Sequence, residues 1–145
     1  MFHYILVVCT GNICRSPVAA AMLARALPGR KVESAGLGAL VGQGVEPNAR
    51  ALAECDGLEV VGHRARQLTP EMISGADIVL VMSDGQRQAV GDLVPEALGK
   101  TLLLGHWLEE SQGRQIPDPY RKSRQTFEHV HQLLHQAVDS WATRL

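Results

Sequence analysis

The sequence predicts an α/β protein built on a four-stranded parallel sheet flanked by helices. Three observations carry that expectation. Short strand-like runs recur at residues 2–8, 31–35, 77–82 and 101–104, and helical segments alternate with them, the pattern of parallel strands joined by right-handed crossovers. The first and third runs are nearly continuous in apolar residues, as strands buried on both faces are. At 145 residues and 46% hydrophobic content the chain is long enough to bury a real core as one domain.

The elements follow in order. Residues 2–8 form the first strand. Thr10 to Arg15 is a strand-to-helix loop. Ser16 is a preferred N-cap and Pro17 suits the first helical position. Residues 18–27 continue with strong helix formers. Residues 31–35 give the second strand, 36–44 a Gly-rich loop, and 46–56 a helix with Pro47 near its start. Thr69-Pro70 opens a short helix. Residues 77–82 are a buried strand, 84–93 a helix, and 101–104 the fourth strand. An irregular loop runs from 105 to 120, and long loops in compact domains are usually functional. The last helix spans 123–145, with Phe127, Val130, Leu133, Leu134, Ala137, Val138 and Trp141 at helical spacing.

In such folds ligands bind beyond the strand C-termini, at a topological switch point. The loop after the first strand lies there. Residues 7–17 read Val-Val-Cys-Thr-Gly-Asn-Ile-Cys-Arg-Ser-Pro. The backbone N–H groups of Thr10, Gly11, Asn12, Ile13, Cys14 and Arg15 can converge on one point, where the helix dipole also favours an anion. Gly11 permits a positive φ, and Asn12 is the non-glycine type that tolerates one best. Cys9 stands at the floor, where the amides and Arg15 favour its thiolate. Arg15 brings a planar fork that holds two phosphoryl oxygens at once. A nucleophile beneath a site for a tetrahedral dianion implies phosphate-ester hydrolysis through a phosphocysteine. An isolated cysteine is usually a small buried hydrophobe. Strand, Gly, Asn, Arg, Ser and Pro in workable places lift Cys9 above that reading. A zinc centre is disfavoured, because Cys55 is the only cysteine besides Cys9 and Cys14 and no His pair stands nearby at ligand spacing. The sequence asks for no metal and no cofactor.

Residues 9–17 resemble the active-site loop of the low-molecular-weight protein tyrosine phosphatases. A second block, Ile116-Pro117-Asp118-Pro119-Tyr120, resembles the general-acid loop of that family. The similarity runs through nearly the whole chain. The Val-Glu-Ser-Ala-Gly stretch at 32–36, the Gly62-His63 turn with Ala65-Arg66-Gln67, and Gly105-His106-Trp107 look closest to the bacterial Wzb-type branch, which is associated with capsule and exopolysaccharide production.

The resemblance implies one three-layer domain over 1–145 with strand order 2-1-3-4. By the same likeness Cys9 is the nucleophile and Arg15 binds phosphate. Asp118 protonates the leaving phenolate and then acts as base on water, in a loop stiffened by Pro117 and Pro119. Asn12, Ser16, Ser34 and His63 are implied to brace the loop. Ile13, Leu40 and Tyr120 are implied to wall the aromatic ring. The implied partner is a phosphotyrosine protein, an autophosphorylating bacterial tyrosine kinase, met by a monomer.

Three rivals share or border on this pattern. Thioredoxin-coupled arsenate reductases need two further cysteines; Met82 stands near the place of the first, and none follows Cys55. Protein-arginine phosphatases tend to carry Thr where Ile13 stands. A silent phosphotyrosine-binding module would show its loss at the nucleophile or the acid, yet Cys9, Arg15 and Asp118 are all present.

Composition closes other classes. Net charge is −1 with no long basic run, so nucleic acid and anionic membrane are poor partners. The first apolar run is too short to span a bilayer and lacks a basic n-region and a cleavage site. Three cysteines suit a reducing cytoplasm. Cys14 is a candidate for a reversible disulfide with Cys9, and Cys55 reads as structural. Arg121, Lys122 and Arg124 fit a surface for acidic phosphopeptides and the solvated start of a helix equally well. His129, His131 and His135 read as solvated. His131 and His135 stand four apart, with no third ligand evident.

Overall fold

β1 (Tyr4–Cys9) is the strand around which the sheet is arranged. In the computed structural model, which describes residues 2–145, it pairs with β2 (Lys31–Gly36) on one side and β3 (Ile78–Val81) on the other. β4 (Thr101–Leu103) completes the sheet on the far side of β3. All pairs are parallel and the order is β2-β1-β3-β4, as expected. Val7 lies opposite Ser34 on one side and Leu80 on the other.

The connecting segments are α1 (Arg15–Ala26), α2 (Pro47–Cys55), α3 (Pro70–Gly75), α4 (Asp84–Leu93), a 3-10 turn (Pro95–Lys100), a distorted single turn α5 (Leu108–Ser111) and α6 (Arg124–Ala142). Alternation along β1 and β3 divides the core. Ile5, Val7, Ile78 and Leu80 pack with residues of α1, α2 and α6. Leu6, Val8, Val79 and Val81 pack with Ile73 of α3 and Val90 of α4. Each of these side chains is at most 2% exposed, and full burial of one contributes roughly 1.5–3 kcal/mol. That rigidity fixes where the C-terminal end of β1 delivers Cys9.

Local capping chemistry explains most helix starts. Thr69, Ser83 and Ser123 accept from Met72, Gln86 and Thr126 N–H, and the Glu46 carboxylate accepts from Asn48 and Ala49. α1 departs from the expectation. It begins at Arg15, Cys14 occupies the N-cap without a side-chain bond, and Ser16 lies inside the helix. The Ser16 hydroxyl is engaged by Cys9 and Asn12 instead.

Several other differences have physical reasons. β1 starts at Tyr4, since Phe2 and His3 are exposed, and it extends to Cys9. Gly11 is not among the residues with positive φ; the left-handed position in the loop is Asn12, at φ 58°. Cys55, read as structural, is exposed at the end of α2. His131 and His135 are not freely solvated. Both Nε2 atoms meet Asp56 Oδ2, and these bonds, His131 first, hold the Asp56 carboxyl below its ordinary range. The missing third group was 75 residues away from His131.

Candidate active site

The loop between β1 and α1 is closed by Asn12. Its side chain is fully buried. Asn12 Nδ2 donates to Ser16 Oγ at 2.7 Å and to Ser34 Oγ at 3.0 Å. Asn12 Oδ1 accepts from Arg66 N at 3.0 Å. Its backbone carbonyl meets His63 Nε2 at 2.7 Å, and since a carbonyl only accepts, the Nε2–H tautomer donates. Burial holds His63 below the usual imidazole range, helped by Arg64 and Arg66 and opposed by the bond to Asn12. A neutral ring is the form this geometry uses. The four bracing residues expected from sequence are thus one connected network.

That network sets a direction at the sulfur. Ser16 Oγ accepts from Asn12 and lies 2.9 Å from Cys9 Sγ. A hydroxyl has one proton to give, so the arrangement leaves that proton for the sulfur. Cys14, also buried, is different: burial first, then Glu46 and Cys9, push its thiol up to about 12. Both Cys9 and Cys14 are free thiols.

Arg15 crosses from the start of α1 to the far loop. Its Nη1 donates to the Ile116 carbonyl at 2.7 Å, and its Nη2 lies 3.8 Å from Asp118 Oδ2. Its Nε is buried with no hydrogen-bond partner. Leaving a buried donor unsatisfied costs about 1–3 kcal/mol, more on a charged group. An oxyanion in the cleft that Arg15 lines removes that cost.

Asp118 is half exposed on its side chain. Its Oδ1 accepts from Tyr120 N at 3.0 Å, which turns the loop so that the carboxyl borders the same cleft as Cys9 and Arg15. Ile116, fully buried, anchors the loop by donating its N–H to Met82 O at 2.8 Å. Ile13, Leu40 and Tyr120 line the same cleft, Ile13 buried and Leu40 and Tyr120 partly exposed. The Arg15 guanidinium beside these apolar side chains suits a phosphate carried on a flat ring. Arg121 sits over the Tyr120 ring at 5.2 Å, a cation–π distance.

Sequence reasoning missed three supports. Gln86 Nε2 donates to Thr10 Oγ1 at 3.1 Å while its Oε1 accepts from Met82 N at 2.8 Å. Its place early in a helix directly after a central strand was the available signal, because that end of the sheet faces the ligand. Arg66 braces the loop twice, through its backbone N–H to Asn12 and through Nε to Ser34 O at 2.9 Å. Gly36 must be glycine, since a Cβ there would stand 2.5 Å from Thr10 O.

Comparison with known proteins gives a consistent result. A family model described as low molecular weight phosphotyrosine protein phosphatase matches residues 4–145. The low molecular weight protein-tyrosine-phosphatase Wzb of Escherichia coli (strain K12) is 48% identical over 145 residues, covering 100% of this chain and 97% of the relative. The crystal structure of the tyrosine phosphatase Wzb from Escherichia coli K30 in complex with sulphate matches with a TM-score of 0.94 and 46% identity, covering 99% of each chain. The YwlE arginine phosphatase from Geobacillus stearothermophilus is similar at TM-score 0.90 and 35% identity, with 98% of this chain and 92% of that one covered.

Proposed function

Because the chain belongs to the low molecular weight phosphotyrosine protein phosphatase family, we propose that it hydrolyses protein phosphotyrosine through a phosphocysteine on Cys9. The supporting observation is convergence. Cys9 from β1, Arg15 from α1 and Asp118 from the loop before α6 border one cleft, although Arg15 and Ile116, whose groups bond directly, are 101 residues apart.

In the first step the phosphoryl dianion lies on the loop amides and the Arg15 guanidinium. Cys9 sulfur attacks phosphorus, the S–P bond forms, and the P–O bond to the ring breaks. The Asp118 carboxyl gives its proton to the departing phenolate oxygen. In the second step the Asp118 carboxylate takes a proton from water as the water oxygen attacks phosphorus. The S–P bond breaks, inorganic phosphate leaves, and the Ser16 hydroxyl donates to the returning thiolate. The bracing network positions the donors beforehand, so they need not reorganise during the reaction.

Substrate choice follows from the walls. Ile13, Leu40 and Tyr120 offer a ring-sized apolar slot. Ile13 has no hydroxyl to meet a guanidinium, which favours phosphotyrosine over the phosphoarginine named for the YwlE relative. The protein partner is read from the family resemblance as an autophosphorylating bacterial tyrosine kinase governing capsule or exopolysaccharide output. Exposed Arg121, Lys122 and Arg124 beside the cleft favour an acidic peptide around the phosphotyrosine. One chain supplies every group of the cleft, so a monomer suffices. Thiol chemistry suits the cytoplasm, and no helix among the described residues is long and apolar enough to cross a membrane.

The test is hydrolysis of phosphotyrosine and phosphoarginine peptides in EDTA by wild type and Cys9→Ser. Phosphotyrosine turnover that disappears in the variant is the expected result. Preference for phosphoarginine overturns the role of Ile13, and turnover that survives Cys9→Ser overturns the nucleophile.

A further inference from the structure

Away from the catalytic cleft, α2 and α6 bring three metal-ligand side chains to one point. His131 and His135 are one turn apart on α6 and present their rings to the same side, edge to face with centroids 5.0 Å apart. Asp56 is the C-cap of α2. His135 Nε2 lies 2.6 Å from Asp56 Oδ2, and His131 Nε2 meets the same oxygen. The three donor atoms lie within 4.8 Å of one another, and no other group of three such residues is found among the described residues. The side chains are 33%, 11% and 35% exposed for Asp56, His131 and His135, so the point is shielded yet reachable from solvent.

We propose that Asp56, His131 and His135 form a binding site for one divalent transition-metal ion, with zinc the best match. Two imidazole nitrogens and one carboxylate oxygen make a three-ligand set of the kind zinc takes, with water in the fourth position. Tetrahedral donors about 2.0–2.2 Å from zinc stand roughly 3.3 Å apart. The donor atoms all lie within 4.8 Å of one another, with His135 Nε2 and Asp56 Oδ2 at 2.6 Å, so the site needs the carboxylate and rings to rotate apart by about an ångström or less to reach that value.

The local surroundings also suit a cation. As things stand, one carboxylate oxygen serves two ring nitrogens. Binding the ion moves each ring proton from Nε2 to Nδ1 through solvent and replaces two shared protons by one central charge. Asp56 sits at the C-terminal end of α2, where the helix dipole favours positive charge. Arg25 Nη1 donates to the Asp56 backbone carbonyl at 2.7 Å; its charge opposes the ion, but it leaves the carboxylate free. The ion is a clamp between α2 and α6, separate from the reaction at Cys9.

Thiols are the competing zinc ligands here, including exposed Cys55 next to Asp56. The experiment therefore titrates the metal-stripped full chain with Zn2+ by calorimetry and with Co2+ by visible absorption. Wild type, His135→Gln, Asp56→Asn and Cys55→Ser are compared, with circular dichroism checking the fold of each. One equivalent of zinc bound with micromolar or tighter Kd is expected, together with a higher Tm. Co2+ should give tetrahedral d–d bands without a thiolate charge-transfer band. His135→Gln and Asp56→Asn should each weaken binding by about tenfold or more, and Cys55→Ser should leave it unchanged. Affinity no better than millimolar, binding indifferent to both ligand variants, or a spectrum of thiolate ligands alone each overturns the site.

Discussion

At Asn12 one side chain and one backbone angle hold the loop that joins Cys9 to Arg15. Its side-chain amide bonds Ser16, Ser34 and Arg66, and its backbone carbonyl accepts from His63 Nε2–H. Its φ of 58° is tolerated better by Asn than by most residues. The role of Asn12 was partly legible, because Asn after Gly in a strand-to-helix loop signals a left-handed residue. Its partners were not, since Ser34 and Arg66 are 22 and 54 residues away. Removing a positioned acid costs roughly 10²–10⁴ in rate, but only where the leaving group needs a proton. Asp118→Asn should slow kcat strongly on phosphotyrosine and much less on an aryl phosphate with an acidic phenol. Equal losses on both substrates would show that Asp118 acts on something other than the leaving oxygen.

Among the elements, strands and helices were legible because each carries its own periodicity or cap. What the pattern hid is competition between local and distant demands. Ser16 looks like an N-cap, yet the Cys9 sulfur and Asn12 engage its hydroxyl, and α1 begins one residue before it. Gly11 looks like the special glycine of the loop. Gly36, at the end of β2, is the glycine beside the loop with no space, because the carbonyl of Thr10 lies against it. A close approach between two strand ends leaves no local trace in a sequence. Gly36→Ala must push Thr10 away, and overpacking of this kind typically costs about 1–3 kcal/mol. Denaturant unfolding should show that loss together with weaker phosphate binding. Gly38→Ala, where an added Cβ meets nothing within 4 Å, should stay within about 0.5 kcal/mol of wild type. Similar stabilities for the two variants would remove the steric account of β2 and the loop.

Across the molecule, the site is assembled from β1, α1, the end of β2, the turn holding His63, α4 and the loop before α6, so its integrity and that of the fold are linked. His63 makes the link visible through pH. Its folded pKa lies below the unfolded value of 6.5, so the unfolded chain binds more protons in that region. The His63 contribution is complete above 6.5 and is lost as pH falls below it toward the folded pKa. Asp56 and Asp77, also lowered, lose their contributions only at more acidic pH. Urea unfolding at pH 7.5 and 5.5 should therefore show wild type losing more stability on acidification than His63→Gln. An equal loss in both would mean that His63 is not held neutral by the fold.

In the proposed reaction the phosphoryl group passes through Cys9. This is tested most directly by mixing enzyme with phosphotyrosine, quenching within the first turnover, and locating the phosphoryl group by mass spectrometry. One phosphoryl group on the peptide that holds Cys9, absent in Cys9→Ser and gone once substrate is consumed, is the predicted result. Tyrosine and phosphate released with no phosphoryl group on the protein, or one held by a different side chain, would contradict it.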